Sequence, residues 1–171
     1  SVRAGNYRSV DLYTAQLSNG AWVNVQNAGA QLNRDYQAGE MALSPDGQRM
    51  YWGSGVFTAG TNVMYASNKT AVGWDTPFRV PNVNNVSNAF LPFITPDGSE
   101  LWFTANSGLG FTGPAIYRSL KQGNGWGTPE EIVSQFAAEP TLDAAGNLYF
   151  VHHYFEGDRM IEADIYVAYR K

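Results

Sequence analysis

The sequence predicts an all-β fold assembled from repeated four-stranded antiparallel units, and three observations carry that prediction. First, marks recur at one long period. Trp22, Trp74 and Trp126 stand 52 residues apart, Tyr13, Tyr65 and Tyr117 keep the same step, and Tyr166 follows after 49. Second, turn words precede aromatic words. Ser44-Pro45-Asp46-Gly47, Thr95-Pro96-Asp97-Gly98 and the eroded Asp143-Ala144-Ala145-Gly146 lead into Met50-Tyr51-Trp52, Leu101-Trp102-Phe103 and Leu148-Tyr149-Phe150. Third, no stretch sustains a helical apolar period, while 18 Gly, 8 Pro and 14% aromatic residues fit short strands joined by many turns. Independent marks that share one period define a structural repeat.

The unit over 89–136 shows the order of elements. Ala89 to Thr95 reads as a first strand. Pro96-Asp97-Gly98 makes a tight turn, because Pro presets φ, Asp caps the turn and Gly accepts positive φ. Glu100 to Ala105 is a second, aromatic strand. A Gly-rich loop, Asn106 to Pro114, leads to a third strand, Ala115 to Leu120. Gly123-Asn124-Gly125 turns the chain into a fourth, Trp126 to Val133. Four antiparallel strands in a repeat of this length are the sequence form of a β-propeller blade.

The phase divides the chain into 1–37, the end of one blade; 38–88 and 89–136, two whole blades; and 137–171, an incomplete blade. Ser1 to Val10 is expected as a loop between second and third strands, followed by an outer pair over Asp11 to Leu17 and Ala21 to Gln26. About three blade equivalents are fewer than the four to eight of a closed ring. Either a further segment or a second chain completing a half-ring is expected.

These words resemble the WD40-like repeat of TolB-type β-propellers. That repeat joins a Ser-Pro-Asp-Gly turn, an aromatic strand, a Gly-rich loop and an Asp-Ile-Tyr strand, often with a Gly-Trp-Gly-x-Pro segment. The matching residues are Ser44 to Gly47, Asp164-Ile165-Tyr166 and Gly125-Trp126-Gly127-Thr128-Pro129. The resemblance implies the fold and leaves the activity open, because one fold hosts many functions. It implies a periplasmic or extracellular binding scaffold, or an accessory domain beside a catalytic one.

Composition narrows the classes. The 171 residues are 44% hydrophobic and 15% charged, with a net charge of −4, which argues against disorder. Lys and Arg are scattered, so no basic stripe favours a nucleic-acid partner. No apolar run has the length of a membrane span. There is no cysteine, hence no disulfide and no thiolate chemistry. Ser1-Val2-Arg3-Ala4-Gly5 lacks the apolar core of a signal peptide, and the chain reads as a processed or excised segment.

Candidate chemistry falls on one rim. Glu40 and Glu139 occupy matched first-strand positions, in Ala38-Gly39-Glu40 and Ala137-Ala138-Glu139, with Leu91 at the third. They read either as a polar or cation-binding spot at a channel mouth or, preferred at this stage, as solvated rim carboxylates. His152 and His153, the two histidines, end a second strand on the same rim, beside Tyr154, Phe155 and Asp158. Neighbours in an extended chain face opposite ways, so one metal is not expected to take both; no metal and no cofactor are expected. Glu40, Glu139, His152, His153 and Tyr154 are the ligand-binding candidates, for a protein, peptide or glycan. The three periodic tryptophans and the turn aspartates Asp46 and Asp97 are read as packing and turn residues.

No nucleophile elbow, phosphate-binding glycine motif or His-Glu-x-x-His appears, and no catalytic residue is assigned. A binding module is therefore the first reading. The alternative is the propeller portion of a carbohydrate-active enzyme or of a peptidase. A glycosidase would need Glu40 and Glu139 close together, which their non-adjacent units make doubtful.

Overall fold

A computed structural model describes residues 10–33, 37–55, 60–110, 113–157 and 159–171. The expected loop over 1–10 lies almost wholly outside these residues, as do the middle of the loop after Gly55, part of the 106–114 loop, and Asp158. The described residues form strands and one 3-10 turn, Val83–Asn85. None of their helices is long and apolar enough to cross a membrane.

Among the described residues, fifteen strands fall into a hairpin and three antiparallel sheets. The hairpin joins β1 (Tyr13–Ser18) and β2 (Ala21–Asn27). The first sheet runs β3 (Gln37–Leu43), β4 (Arg49–Gly55), β5 (Val63–Thr70), with β6 (Gly73–Trp74) and β7 (Phe78–Arg79) both pairing with β5. The second repeats this with β8 (Phe90–Ile94), β9 (Glu100–Asn106), β10 (Pro114–Gln122), β11 (Gly125–Trp126) and β12 (Glu130–Val133). The third has β13 (Ala137–Leu142), β14 (Leu148–Glu156) and β15 (Arg159–Ala168).

The turn words make the turns expected of them. Asp46, Asp97 and Asp143 each accept a backbone N–H two residues on, from Gln48 (3.0 Å), Ser99 (3.0 Å) and Ala145 (2.9 Å). Gly47, Gly98 and Gly146 follow with φ of 65°, 70° and 80°. The fourth strands of the first and second sheets differ from expectation, each being two short pieces, whereas β2 of the hairpin is continuous. In the second sheet the ladder breaks between Trp126 and Glu130, where Pro129 has no N–H to give. Gly127 bridges the gap, donating to Leu120 O (2.8 Å) and accepting from Ser119 Oγ (2.6 Å).

The aromatic words are cross-strand pairs. Trp52 lies opposite Tyr65, Phe103 opposite Tyr117 and Phe150 opposite Tyr166. Their rings stack at 6.2, 5.7 and 5.9 Å between centroids. Such a pair adds about 0.5–1.5 kcal/mol beyond its buried area.

Packing runs from sheet to sheet. Strand alternation sends Leu101, Phe103 and Ala105 of β9, with Ile94 of β8, into a core with Tyr51 and Met64 of the first sheet. Trp102, from the other face, packs with Leu148 and Phe150 of the third sheet. Leu12 and Leu32 join Met50 and Trp52 in a core that ties the hairpin to the first sheet. The first strands stand side by side, with β8 against β3 and β13 against β8.

Burial is less uniform than the period suggests. Trp126 is 4% exposed and meets Tyr51 edge-on at 6.0 Å, Trp74 is half-buried, and Trp22 is 69% exposed. Tyr166, the last of the periodic tyrosines, is 41% exposed, whereas Tyr117 is 3% exposed. A fourth strand flanks Tyr65 through Arg79 and Tyr117 through Glu131, whereas β15 ends its sheet.

Candidate functional site

Each first strand carries a β-bulge near its start. Register shifts between Ala38 and Met41, between Phe90 and Phe93, and between Ala138 and Thr141. The residues thrown out of the ladder include Glu40, Leu91 and Glu139, the three matched positions. Leu91 and Glu139 take left-handed φ of 52° and 59°. That conformation costs roughly 1–2 kcal/mol for a residue with a Cβ. It is held at Glu139 by its N–H, which donates to Thr104 Oγ1 (3.1 Å) of the neighbouring sheet.

The bulges open onto one cleft of ≈ 870 Å³, to which the hairpin and all three sheets contribute. Leu91, Met41, Phe155 and Met160 supply apolar wall. Gly53 sets the approach of the first two sheets here, since a Cβ on it would lie 2.5 Å from the Cβ of Phe90. Among the described residues the ionisable lining is Asp11, Tyr13, Glu40, Glu139 and His153, with no Lys or Arg. Asp11 accepts from Asn27 Nδ2 (3.1 Å). Glu40 and Glu139 are exposed to the cleft.

The structure thus gathers Glu40, Glu139 and His153. Glu40 and Glu139 share a cleft although their sheets are separated by a third. The packing of β3, β8 and β13 side by side brings the outer two bulges to a common opening. His153 is held by its backbone N–H to Phe136 O (2.9 Å), with Nδ1 3.3 Å from the same oxygen. A carbonyl only accepts, so a hydrogen bond at that contact is donated by Nδ1.

His152 and Tyr154 are not part of the cleft lining. Strand alternation turns them to the opposite face of β14, where the His152 ring lies 4.6 Å from that of Tyr154 and 5.6 Å from that of Tyr166. The Tyr154 and Tyr166 hydroxyls are hydrogen-bonded to each other. That bond, ahead of desolvation, pushes the Tyr154 hydroxyl up to about 12. Among the described residues no three His, Asp or Glu side chains group as a metal site.

One polar cluster escapes sequence reasoning. Glu131 accepts from Ser107 Oγ (2.7 Å), Ser134 Oγ (2.7 Å), the Gly108 N–H (2.9 Å) and Tyr117 Oη (2.8 Å). Burial opposes its ionisation, and these donors together outweigh it, leaving the carboxyl below its ordinary value. Burial, then Glu131, pushes the Tyr117 hydroxyl up to about 12. The cluster pins the start of the 106–114 loop. Its only signal in the sequence is Tyr117 in a repeated word, and the matched partner of Tyr65 is Arg79, so the period does not reveal it.

A smaller hollow of ≈ 300 Å³ lies at the other ends of the strands, among Asp46, Asp97, Lys121 and Trp126. The aspartates there are committed to their turns, and Lys121 Nζ stands 4.7 Å over the Trp126 ring. Comparison with protein-family models and with curated proteins finds no match for this chain.

Proposed function

We propose that the chain is a stretch of β-propeller of the TolB-type repeat, acting outside the cytoplasm as a binding module for a protein, peptide or glycan. The ligand sits in the cleft between the bulged first strands, and no cofactor takes part. The observation that carries this reading is the meeting of Glu40, Glu139 and His153 on the walls of one apolar cleft of ≈ 870 Å³. Ligand sites are concave, mostly apolar, and hold a few placed polar groups. Consecutive sheets packed face to face, with matched bulges and matched aromatic pairs, support the blade reading.

The test is a screen of peptides and glycans followed by variants. Glu139→Gln and His153→Ala both weaken binding; the exposed Glu139 substitution keeps the unfolding midpoint within about 2 °C, and the half-buried His153 substitution leaves the protein folded. Normal binding by both, with loss on substituting Asp46 and Asp97 in a folded protein, places the ligand at the opposite strand ends and overturns the assignment.

A second reading rests on the same two carboxylates. A glycosidase also sets an acid and a base or nucleophile across a cleft. Hydrolysis of a glycan that is abolished by both Glu40→Gln and Glu139→Gln would select it over simple binding.

A further inference from the structure

The three bulges present an acid, an apolar side chain and an acid in sequence around the cleft: Glu40, Leu91, Glu139. We infer that the cleft takes an organic dication, two ammonium or guanidinium groups joined by an apolar spacer. The inference rests on the cleft being the binding site, as proposed above, and adds the chemistry of what enters it.

Charge complementarity carries the argument. The described lining holds three carboxylates and no Lys or Arg. Among the described residues, Glu40 and Glu139 have no ion-pair partner, the two ion pairs there being those of Arg118 with Glu100 and Glu130. A ligand that covers the cleft removes water from both carboxylates. A neutral ligand offers them only uncharged donors and an anionic one repels them, whereas a cation on each sets charge-assisted hydrogen bonds, roughly twice as strong, against the cost of desolvation. Between them, Leu91, with Met41 and Phe155 on the wall, offers no polar partner, so the middle of the ligand is apolar. Leu91 lines the cleft from a bulge at φ 52°, a conformation a leucine rarely adopts, on the strand that stands between those of Glu40 and Glu139.

Nile red, a neutral apolar dye whose emission rises out of water, reads occupancy of the cleft in the whole chain. Leu91→Asn and Phe155→Ser are expected to weaken dye binding. Asn tolerates the left-handed backbone, so the first keeps the bulge while removing the apolar contact. Competitors then read the charge requirement. Diaminooctane is expected to displace the dye at ~10- to 100-fold lower concentration than octanediol, the neutral isostere, with aminooctane between them. Glu40→Gln and Glu139→Gln each reduce that advantage about tenfold and leave octanediol unchanged. A capped Lys-Leu-Lys peptide tests the other source of the same chemistry. Displacement by either dication supports the inference and identifies its source.

Two failures separate. If the dye binds through Leu91 and Phe155 but neither dication outcompetes its neutral counterpart, the dication is wrong and the cleft remains the binding site. If the dye does not bind, or neither Leu91→Asn nor Phe155→Ser changes its binding, the cleft reading falls as well. A diamine advantage that survives the double Glu→Gln variant also overturns the inference, because the carboxylates would not be its cause.

Discussion

Replacing the three periodic tryptophans with alanine, one at a time, should give three different losses of stability although the sequence treats them alike. Trp126 is 4% exposed, touches Tyr51 edge-on, and lies in the core between the first and second sheets. Its loss leaves a cavity bounded by strands of two sheets that cannot collapse independently, so Trp126→Ala should cost ~3–5 kcal/mol. For a chain of this length that lowers the unfolding midpoint by roughly 6–20 °C. Trp74 is half-buried against Leu12, Leu32 and Met50, and its truncation should cost ~1–3 kcal/mol. Trp22 is 69% exposed, and Trp22→Ala should fall within about 0.5 kcal/mol of the parent. Trp126→Phe is a useful refinement. The indole Nε1 is buried without a hydrogen-bond partner among the described residues, so phenylalanine removes an unsatisfied donor while keeping a ring. It should recover more than half of the alanine loss. The assay is reversible urea unfolding followed by circular dichroism, with midpoint and slope measured for each variant. Equal midpoints for Trp22→Ala and Trp126→Ala would refute the claim that sheet-on-sheet burial, and not the repeat itself, sets their contribution.

Three further outcomes follow from the polar groups. Hydrogen bonds from Thr95 and the Ser99 N–H hold Asp97 at about 2, below its ordinary 3.8. A depressed carboxyl adds stability above its unfolded value, and that stability is lost as pH falls from about 4 towards 2. Asp97→Asn should therefore destabilise at neutral pH and cease to matter near pH 2, with a carboxyl NMR titration reading the midpoint directly. Tyr117, held near 12, contributes stability that is present below about 10 and lost as pH rises through 12; Tyr117→Phe should remove one of the late-titrating phenolates from the ultraviolet curve, leaving that of Tyr154. Glu131→Gln leaves four donors with one weaker acceptor and should cost ~1–3 kcal/mol, with faster hydrogen exchange at the Gly108 amide.

Much of the architecture was legible because it is written in local chemistry. The Pro-Asp-Gly words form turns since Asp reaches the N–H two residues on and Gly accepts positive φ, requirements that involve no distant neighbour. Three of the four tyrosines at the long period, Tyr65, Tyr117 and Tyr166, pair with aromatic residues across adjacent strands, so their spacing reports strand register directly. The opposite facing of His152 and His153 follows from strand alternation alone.

What only the tertiary structure decided concerns neighbours. Trp22, Trp74 and Trp126 hold equivalent places in their units, yet burial depends on what stands against each unit, and that differs from one to the next. Glu40 and Glu139 lie 99 positions apart in a chain whose intervening unit carries leucine at the matched position. Their common cleft arises because three first strands stand side by side and each bulges at the same point. Glu131 and Tyr117 form a clamp in one sheet where the matched pair in another is Arg79 and Tyr65, so periodicity carries no trace of it. A repeat specifies the strand pairing each unit makes within itself, since that recurs with the period; contacts between units, and side-chain clamps such as Glu131 with Tyr117, depend on residues that the period does not repeat.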